Sequence, residues 1–264
     1  MITLFFIHRN KVFLFSEIFW LFLNWRLILN PWKQCLFPER VFVRIEVGDE
    51  MKENDIRSEN KGVMPRIILA SGSPRRLELM YQAGFSVEVI PSHADEKVSS
   101  GPPDEVVRCL SRRKAEDVAG EILNPDKSQL SACIILGADT IVARDADIVG
   151  KPSSPEDAVE TLRSLSGRSH DVYTGVTLVK VEKGEIQREE TFSVRTRVYV
   201  CELTDREIRE YVETGDPMDK AGSYGIQGIF ARYIEKIEGD YYNVVGLPVS
   251  AVYHKLEEWG VSRE

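Results

Sequence analysis

Residues 66–76 read Arg-Ile-Ile-Leu-Ala-Ser-Gly-Ser-Pro-Arg-Arg, and the regular pattern of strands and helices begins with this stretch. The apolar run at residues 67–70 is typical of a buried strand. Ser73 stands where a helix N-cap is expected, and Pro74 at the first helical position has the φ angle that a helix start needs. A strand followed at once by a helix predicts the first unit of an α/β domain.

Downstream of residue 76, strand-like and helix-like patterns alternate with short connections. Strands are predicted at residues 86–90 and, as a short apolar run, at residues 133–136. Helices are predicted where apolar residues recur at helical spacing, at residues 75–84, 103–119 and 155–165. This alternation is typical of units that place parallel strands in one sheet.

The last third of the chain adds an antiparallel hairpin to these units. Residues 171–181 and 190–201 alternate in the manner of strands and flank a turn at residues 182–185. Parallel and antiparallel pairs in one chain predict a mixed sheet. The remaining predicted elements are a helix from the capping box at Thr204 to about Val212, a glycine-rich loop at residues 214–228, a strand at residues 229–237 and a helix after Pro248.

The start of the chain differs in composition from the rest. Eight of the eleven Phe and three of the four Trp fall in residues 1–42, whereas all nine Tyr follow residue 80. The apolar stretch at residues 12–29 is interrupted by Glu17, Asn24 and Arg26, which argues against a membrane span. Because no small-residue cleavage site follows it, a secretory signal is not expected either.

A change in pattern marks the start of the domain. Residues 48–62 are polar and charged, which is typical of a linker, and Met64 stands immediately before the first patterned strand. We therefore expect residues 1–63 to be a non-domain N-terminal extension, translated from upstream of the true start or dispensable. Residues 64–264 are expected to form the folded domain, without a membrane segment.

Charge and cysteine usage exclude several classes of protein. The net charge is -8 and no run of Lys or Arg occurs, which argues against nucleic-acid binding because phosphate-backbone contacts need clustered cations. The four cysteines form no C-x-x-C pair, which argues against a zinc ribbon or a thioredoxin-like centre. Scattered thiols fit a reducing compartment, so we expect the protein in the cytoplasm.

The loop after the first strand carries an anion-binding pattern. Ser71, Ser73, Arg75 and Arg76 place two hydroxyls and two guanidinium groups at the positive end of a helix dipole, where a phosphate group binds well. The alternative is that Ser73 and Pro74 only cap the helix and that the arginines are surface charges. Arginine at a helix start is unfavourable unless an anion compensates it, which favours phosphate binding.

Two further segments carry candidate site residues. Asp139 follows an apolar strand, where a carboxylate can hold Mg²⁺ or orient a water, although Asp after Gly is also ordinary turn chemistry. Gln227 lies between glycines in the long loop at residues 214–228 and could pair its amide with a base edge. A plain surface turn is the alternative for Gln227. Lys151 adds one cation, which is more commonly a solvated side chain.

Several of these motifs together resemble the Maf family of nucleoside triphosphate pyrophosphatases. They occur in the order found in that family and cover the chain from Met64 to its end, whereas residues 1–63 match nothing in it. The motifs are residues 67–76, residues 137–140, Lys151-Pro152, Ser166-Gly167 with His170, residues 174–176, residues 219–228 and residues 243–248.

The resemblance implies a fold, a reaction and a cofactor. The fold would be an elongated α/β domain of the Maf/ITPase-like type, with a mixed twisted sheet and a cleft between two lobes. Water would attack the α-phosphorus of a nucleoside triphosphate and release the monophosphate and pyrophosphate, with a divalent metal cation, Mg²⁺ or Mn²⁺. The nucleoside triphosphate is the implied partner, and the chain is open to homodimer formation.

The resemblance also assigns roles to individual residues. Asp139 is implied to be the proton acceptor and, with Glu96, a metal ligand. Arg75, Thr140 and Gln227 match positions that determine substrate specificity in the family. The residues implied at the triphosphate are Ser71, Ser73, Arg75, Arg76, Lys114, Lys151 and Lys220.

The forms Ser-Gly-Ser-Pro-Arg-Arg and Gly-Ile-Gln-Gly are similar to the branch of the family that acts on dTTP and UTP, with modified pyrimidine triphosphates as further substrates. One alternative is the branch that acts on 7-methyl-GTP. Another is a non-catalytic regulator of cell division that acts through partners. Intact Asp139, Arg75 and Lys151 favour catalysis over this last interpretation.

Overall fold

The computed structural model of the protein describes residues 4–8, 11–15, 65–96, 101–124, 132–145 and 147–261. The chain divides into two compact units, Met1–Arg57 and Ser58–Glu264. In the first unit, strands β1 (Leu4–His8) and β2 (Lys11–Phe15) pair antiparallel. The rest of the predicted extension at residues 1–63, including the linker at residues 48–62, lies outside the described residues.

The second unit contains a seven-stranded sheet with helices packed on it. Its strands are β3 (Arg66–Leu69), β4 (Val87–Val89), β5 (Cys133–Arg144), β6 (Asp147–Val149), β7 (Ser169–Glu182), β8 (Glu185–Val200) and β9 (Ile234–Glu238). Its helices are α1 (Pro74–Gln82), α2 (Pro103–Ile122), α3 (Pro155–Leu165), α4 (Asp205–Glu213), α5 (Tyr241–Val245) and α6 (Val249–Glu258).

The sheet is mixed, as the sequence predicts. Its strand order is β4-β3-β5-β7-β8-β9, and β6 pairs with β5 off this path. Strand β3 is parallel to both β4 and β5, whereas β5, β7, β8 and β9 pair antiparallel in succession. The mixed α/β fold class is therefore confirmed. Within the described residues, no helix is long and apolar enough to cross a bilayer.

Strand β5 is much longer than the apolar run that predicts it. The run ends at Leu136, where β5 also loses its parallel neighbour β3, but the strand continues to Arg144. It continues because β7 pairs with it from Cys133 to Ala143 and satisfies the backbone groups beyond Leu136. Asp139 and Thr140 therefore lie inside a strand and not in a turn, just past the carboxyl end of β3.

Two glycines allow helix α2 to pack very closely on β5 and β7. A Cβ at Gly137 would lie 2.4 Å from the carbonyl oxygen of Ser111, and one at Gly175 would lie 2.2 Å from that of Val107. Both distances are shorter than any side chain tolerates, so each position requires the missing Cβ of glycine. The close approach brings Lys114 of α2 against Asp139 of β5.

The segment before β9 differs from its predicted strand at residues 229–237. Residues Ile229–Tyr233 form a 3₁₀ helix, and only Ile234–Glu238 pairs with β8. Phe230 and Tyr233 are both buried. Side chains three residues apart lie on one side of a 3₁₀ helix, so this geometry buries both rings where a strand would place them on opposite faces.

Candidate functional site

A cavity of about 900 Å³ opens at the carboxyl end of β3. Its walls come from β5, α1, α2, the segment after β6, and residues 214–228, which we call the Gln227 loop. Every site residue named from the sequence lines this cavity: Ser71, Ser73, Arg75, Arg76, Glu96, Lys114, Asp139, Thr140, Lys151, Lys220 and Gln227. The structure thus brings together residues that are far apart in the chain.

An acidic pair shares one lysine on one side of the cavity. The Lys114 Nζ atom donates to Asp139 Oδ1 at 2.5 Å and to Glu96 Oε1 at 2.7 Å. The Lys114 and Asp139 side chains are only 10% and 15% exposed, so this contact lies in a poorly solvated environment. The hydrogen bond from Lys114 and its charge lower the pKa of Glu96, which keeps that carboxylate ionised.

The donor set of this pair fits a magnesium or manganese ion. Glu96 and Asp139 contact the same ammonium, so their oxygens are close enough for one small cation, and carboxylate oxygens are the ligands that Mg²⁺ prefers. Among the described residues, no group of three or more His, Cys, Asp or Glu could hold a metal. The remaining ligands would therefore be substrate phosphates and water, which is the usual arrangement for Mg²⁺.

The two arginines at the start of α1 occupy different environments. Arg76 is buried and donates to the Gly246 carbonyl at 2.8 Å, to the Ser71 hydroxyl at 3.0 Å and to the Thr140 hydroxyl at 3.0 Å. Burial lowers the pKa of Arg76. Arg75 is 34% exposed and lies 3.7 Å from Asp219. Arg76 thus holds the walls of the cavity together, and Arg75 is the more accessible cation.

Ser73 occupies the N-cap position of α1, as predicted, but its side chain makes no capping hydrogen bond. The Ser71 hydroxyl accepts a hydrogen bond from the Ser73 backbone N–H at 3.3 Å and another from Arg76. Ser71 therefore shapes the turn. The Ser73 hydroxyl is not used for capping, which is consistent with a role at the triphosphate.

The Thr140 hydroxyl is fixed by a network that sequence reasoning did not find. It lies 2.9 Å from the Thr174 hydroxyl, which donates to the Asn243 carbonyl at 2.9 Å. The Asn243 amide in turn donates to the Val172 carbonyl at 3.1 Å. Thr174 and Asn243 are both buried, and their only signal in the sequence is their place in the quoted motifs.

The resemblance implies that Lys220 contacts the triphosphate, but in the structure its ammonium is bound by two aspartates. Its Nζ atom donates to the Asp216 carbonyl at 2.6 Å, to Asp216 Oδ1 at 3.0 Å and to Asp219 Oδ1 at 2.7 Å. An ammonium has three donors, and all three are engaged within the Gln227 loop. Burial acts to raise the pKa of Asp219, but Lys220 and Arg75 outweigh it and lower that pKa.

Gln227 and Lys151 are exposed at the rim of the cavity, where a ligand can reach both side chains. Beneath the Gln227 loop, the buried His170 Nε2 lies 2.7 Å from the hydroxyl of Tyr224, whose side chain lines the cavity. Burial lowers the pKa of His170 to about 4. His170 is therefore neutral near pH 7 and supports the loop as a polar, uncharged group.

Comparison with known proteins matches residues 66–259 to the family described as Maf-like protein. A dTTP/UTP pyrophosphatase of Agathobacter rectalis is 48% identical over 203 residues, which are 75% of this chain and 99% of that protein. A dTTP/UTP pyrophosphatase of Carboxydothermus hydrogenoformans is 46% identical over 195 residues, or 74% of this chain and 99% of that protein. A dTTP/UTP pyrophosphatase of Bacillus pumilus is 46% identical over 200 residues, which are 75% of this chain and 99% of that protein.

Proposed function

The chain belongs to the Maf-like protein family, and on that premise we propose that it hydrolyses dTTP and UTP to the nucleoside monophosphate and pyrophosphate. The observation that carries the proposal is the cavity itself. The cavity brings together the Glu96 and Asp139 carboxylates, which are both hydrogen-bonded to Lys114. The accessible cations Arg75 and Lys151 and the exposed amide of Gln227 line the same cavity. The relatives that share this part of the chain are named dTTP/UTP pyrophosphatases.

The triphosphate is proposed to bind at the cationic side of the cavity. Arg75 and Lys151 are the accessible cations, and the start of α1 adds backbone N–H groups and the Ser73 hydroxyl. Arg76 supports this side through Ser71 and Thr140 and adds positive charge from behind it. Three phosphates carry several negative charges, so a site with clustered cations favours them over an uncharged nucleoside.

Asp139 is proposed to accept the proton of the attacking water. Its Oδ1 atom is held by Lys114, and we assign the other carboxylate oxygen to the water. The water oxygen forms a bond to the α-phosphorus, the bond from that phosphorus to the bridging oxygen breaks, and pyrophosphate leaves with the bonding electrons. A divalent cation held by Glu96 and Asp139 would neutralise charge on the phosphate oxygens when bound.

Base selection is proposed for Gln227, with Arg75 and Thr140 as further selecting residues. Uracil and thymine present alternating acceptors and donors, and an amide can both donate and accept, whereas a carboxylate only accepts. A site built to hydrogen-bond one base leaves polar groups unpaired when another base binds. This supports a preference of ~10-fold or more for the correct base.

Pyrophosphate release by the purified full chain from a panel of nucleoside triphosphates, with Mg²⁺ or Mn²⁺, tests the proposal. We expect kcat/KM for dTTP and UTP to exceed that for CTP, ATP and GTP, and we expect a chelator to abolish turnover. Gln227→Glu should reduce the preference for dTTP and UTP over the other nucleotides by a larger factor than it lowers kcat/KM for the best substrate. If 7-methyl-GTP is the best substrate, or if Gln227→Glu leaves the ranking unchanged, the dTTP/UTP assignment is wrong.

The proposal also places the protein in the cytoplasm and leaves homodimer formation as a prediction. Support for the cytoplasm comes from the scattered cysteines, since the three that the structure describes are free thiols. A fractionation experiment with an antibody to the chain would test the location, and sedimentation velocity would test the oligomeric state.

A further inference from the structure

One buried phenol joins the two ends of the Gln227 loop. Tyr211 of α4 is 1% exposed, and its hydroxyl donates to Asp216 Oδ2 at 2.5 Å near the start of the loop. The same hydroxyl accepts from the Gly225 backbone N–H at 3.1 Å, two residues before Gln227. A single oxygen therefore bridges parts of the loop that are nine residues apart in sequence. Burial and the hydrogen bond to Asp216 raise the pKa of Tyr211, so the phenol remains protonated and can donate.

Asp216 and Lys220 fill the space beneath the same turn. A Cβ at Gly225 would lie 2.7 Å from Lys220 Cε, and a Cβ at Gly228 would lie 3.2 Å from Asp216 Oδ2. The glycines on both sides of Gln227 thus rest directly on the Asp216–Lys220 ion pair. Because Asp216 and Asp219 together take all three Lys220 donors, Lys220 acts here as part of the support of the loop.

The Tyr211 ring is itself fixed by neighbouring aromatic side chains. It packs on Phe230 with the ring centroids 5.0 Å apart, and Phe230 packs on Tyr224 at 4.8 Å. Phe230 follows Gln227 in the chain and Tyr224 precedes it, so both flanks of the residue are attached to one buried cluster. The phenol therefore has little freedom to move, and neither does the turn that it holds.

We propose that Tyr211 is a positioning residue for base selection, which acts by holding Gln227 in one place through Asp216 and Gly225. The inference rests on the proposed function, because it concerns how the same site distinguishes bases. An amide on a mobile loop can adjust to several bases, whereas a fixed amide pairs with only one pattern of donors and acceptors. Lys220 belongs to this support, and its removal should change base preference more than affinity for the triphosphate.

Tyr211→Phe in the full chain removes the hydroxyl and keeps the packed ring. A hydrogen bond to a charged group contributes enough for a change of about 10-fold, so we expect the ratio of kcat/KM for dTTP to that for CTP to fall about 10-fold. The kcat for dTTP should stay within about threefold of the wild-type value, because Tyr211 does not line the cavity and the fall arises mainly in KM. Asp216→Ala, which removes the acceptor and leaves Tyr211 intact, should cause a similar loss of preference.

Tyr233→Phe is the matched control. It removes a phenol hydroxyl from the same aromatic cluster, since Tyr233 packs on Phe230 at 5.4 Å, but that hydroxyl accepts from Arg232 and not from the loop. We expect this variant to keep the wild-type ratio. Melting temperatures of all variants show whether a loss of preference is separate from a loss of fold.

Lys220→Met separates the two roles of the lysine. Loss of a triphosphate contact would raise KM for every nucleotide alike, whereas loss of loop support lowers the dTTP to CTP ratio. The inference is overturned if Tyr211→Phe keeps the wild-type ratio or if Tyr233→Phe lowers it equally. If the wild-type chain itself shows no preference for dTTP and UTP, the proposed function fails first, and that outcome is visible before any variant is measured.

Discussion

Asp139 is the residue whose charge the proposed reaction depends on. Asp139→Asn keeps the shape of the side chain and removes its ability to accept a proton, so we expect kcat to fall by roughly 100-fold or more. Steady-state pyrophosphate release measures this change, and the melting temperature shows whether the fold is kept. Asp147→Asn makes the same change at an exposed position on β6 and should leave turnover unchanged. Activity of Asp139→Asn within about threefold of wild type would remove Asp139 from this role.

The buried Ser223 hydroxyl lowers the free energy of unfolding. It is fully buried, its φ angle is 58°, and among the described residues its hydroxyl has no hydrogen-bond partner. Ser223→Ala removes an unsatisfied polar group, so we expect the free energy of unfolding to rise by about 1 kcal/mol. Ser111→Ala removes a buried hydroxyl that is bonded to Thr177 at 2.9 Å and should lower it by a similar amount. Urea denaturation of both variants checks the opposite signs.

At the scale of elements, His170 links strand β7 to the Gln227 loop and makes that contact sensitive to pH. Burial lowers the pKa of His170 from 6.5 to about 4, so between these values the unfolded chain binds a proton that the folded chain excludes. Stability from this group is therefore present above pH 6.5 and is lost as the pH falls toward 4. The loss amounts to about 3 kcal/mol at most.

Urea denaturation at pH 7 and at pH 5 tests this dependence. We expect the free energy of unfolding to fall more between these two values for the wild-type chain than for His170→Gln, which does not titrate and can still form a hydrogen bond with Tyr224. An equal fall in the free energy of unfolding for the two proteins would show that His170 does not contribute to the pH dependence of stability.

Some helices and strands are predicted correctly from local sequence patterns alone. Helix α3 begins at Pro155 and ends at Leu165, as its apolar spacing predicts, and the Thr204 capping box is formed at the start of α4. The apolar run predicts too short a strand β5, because the continuation beyond Leu136 depends on β7, more than thirty residues later in the chain. The sequence of β5 alone contains no signal for that partner.

At the scale of the whole molecule, every strand of the seven-stranded sheet and the whole cavity lie after residue 64. The family match begins at residue 66, and the curated relatives match almost their entire length to about three quarters of this chain. We therefore expect a protein of residues 64–264 to fold and to reach the kcat/KM of the full chain. Side-by-side melting curves and pyrophosphate assays measure this. Loss of folding on removal of residues 1–63 would contradict the interpretation of that segment as an extension.

From the sequence alone, the bounds of α3, the capped start of α4 and the mixed character of the sheet are predicted correctly, and the motifs name eleven residues that line the cavity. Caps, the φ angle of proline and apolar spacing act over a few residues, so they can be interpreted without a fold. Tertiary packing, by contrast, buries Arg76 between Ser71, Thr140 and Gly246 and pairs Lys220 with Asp216 and Asp219. A charged side chain binds a ligand or supports the protein according to which acceptors surround it, and those acceptors are brought close only when distant elements pack.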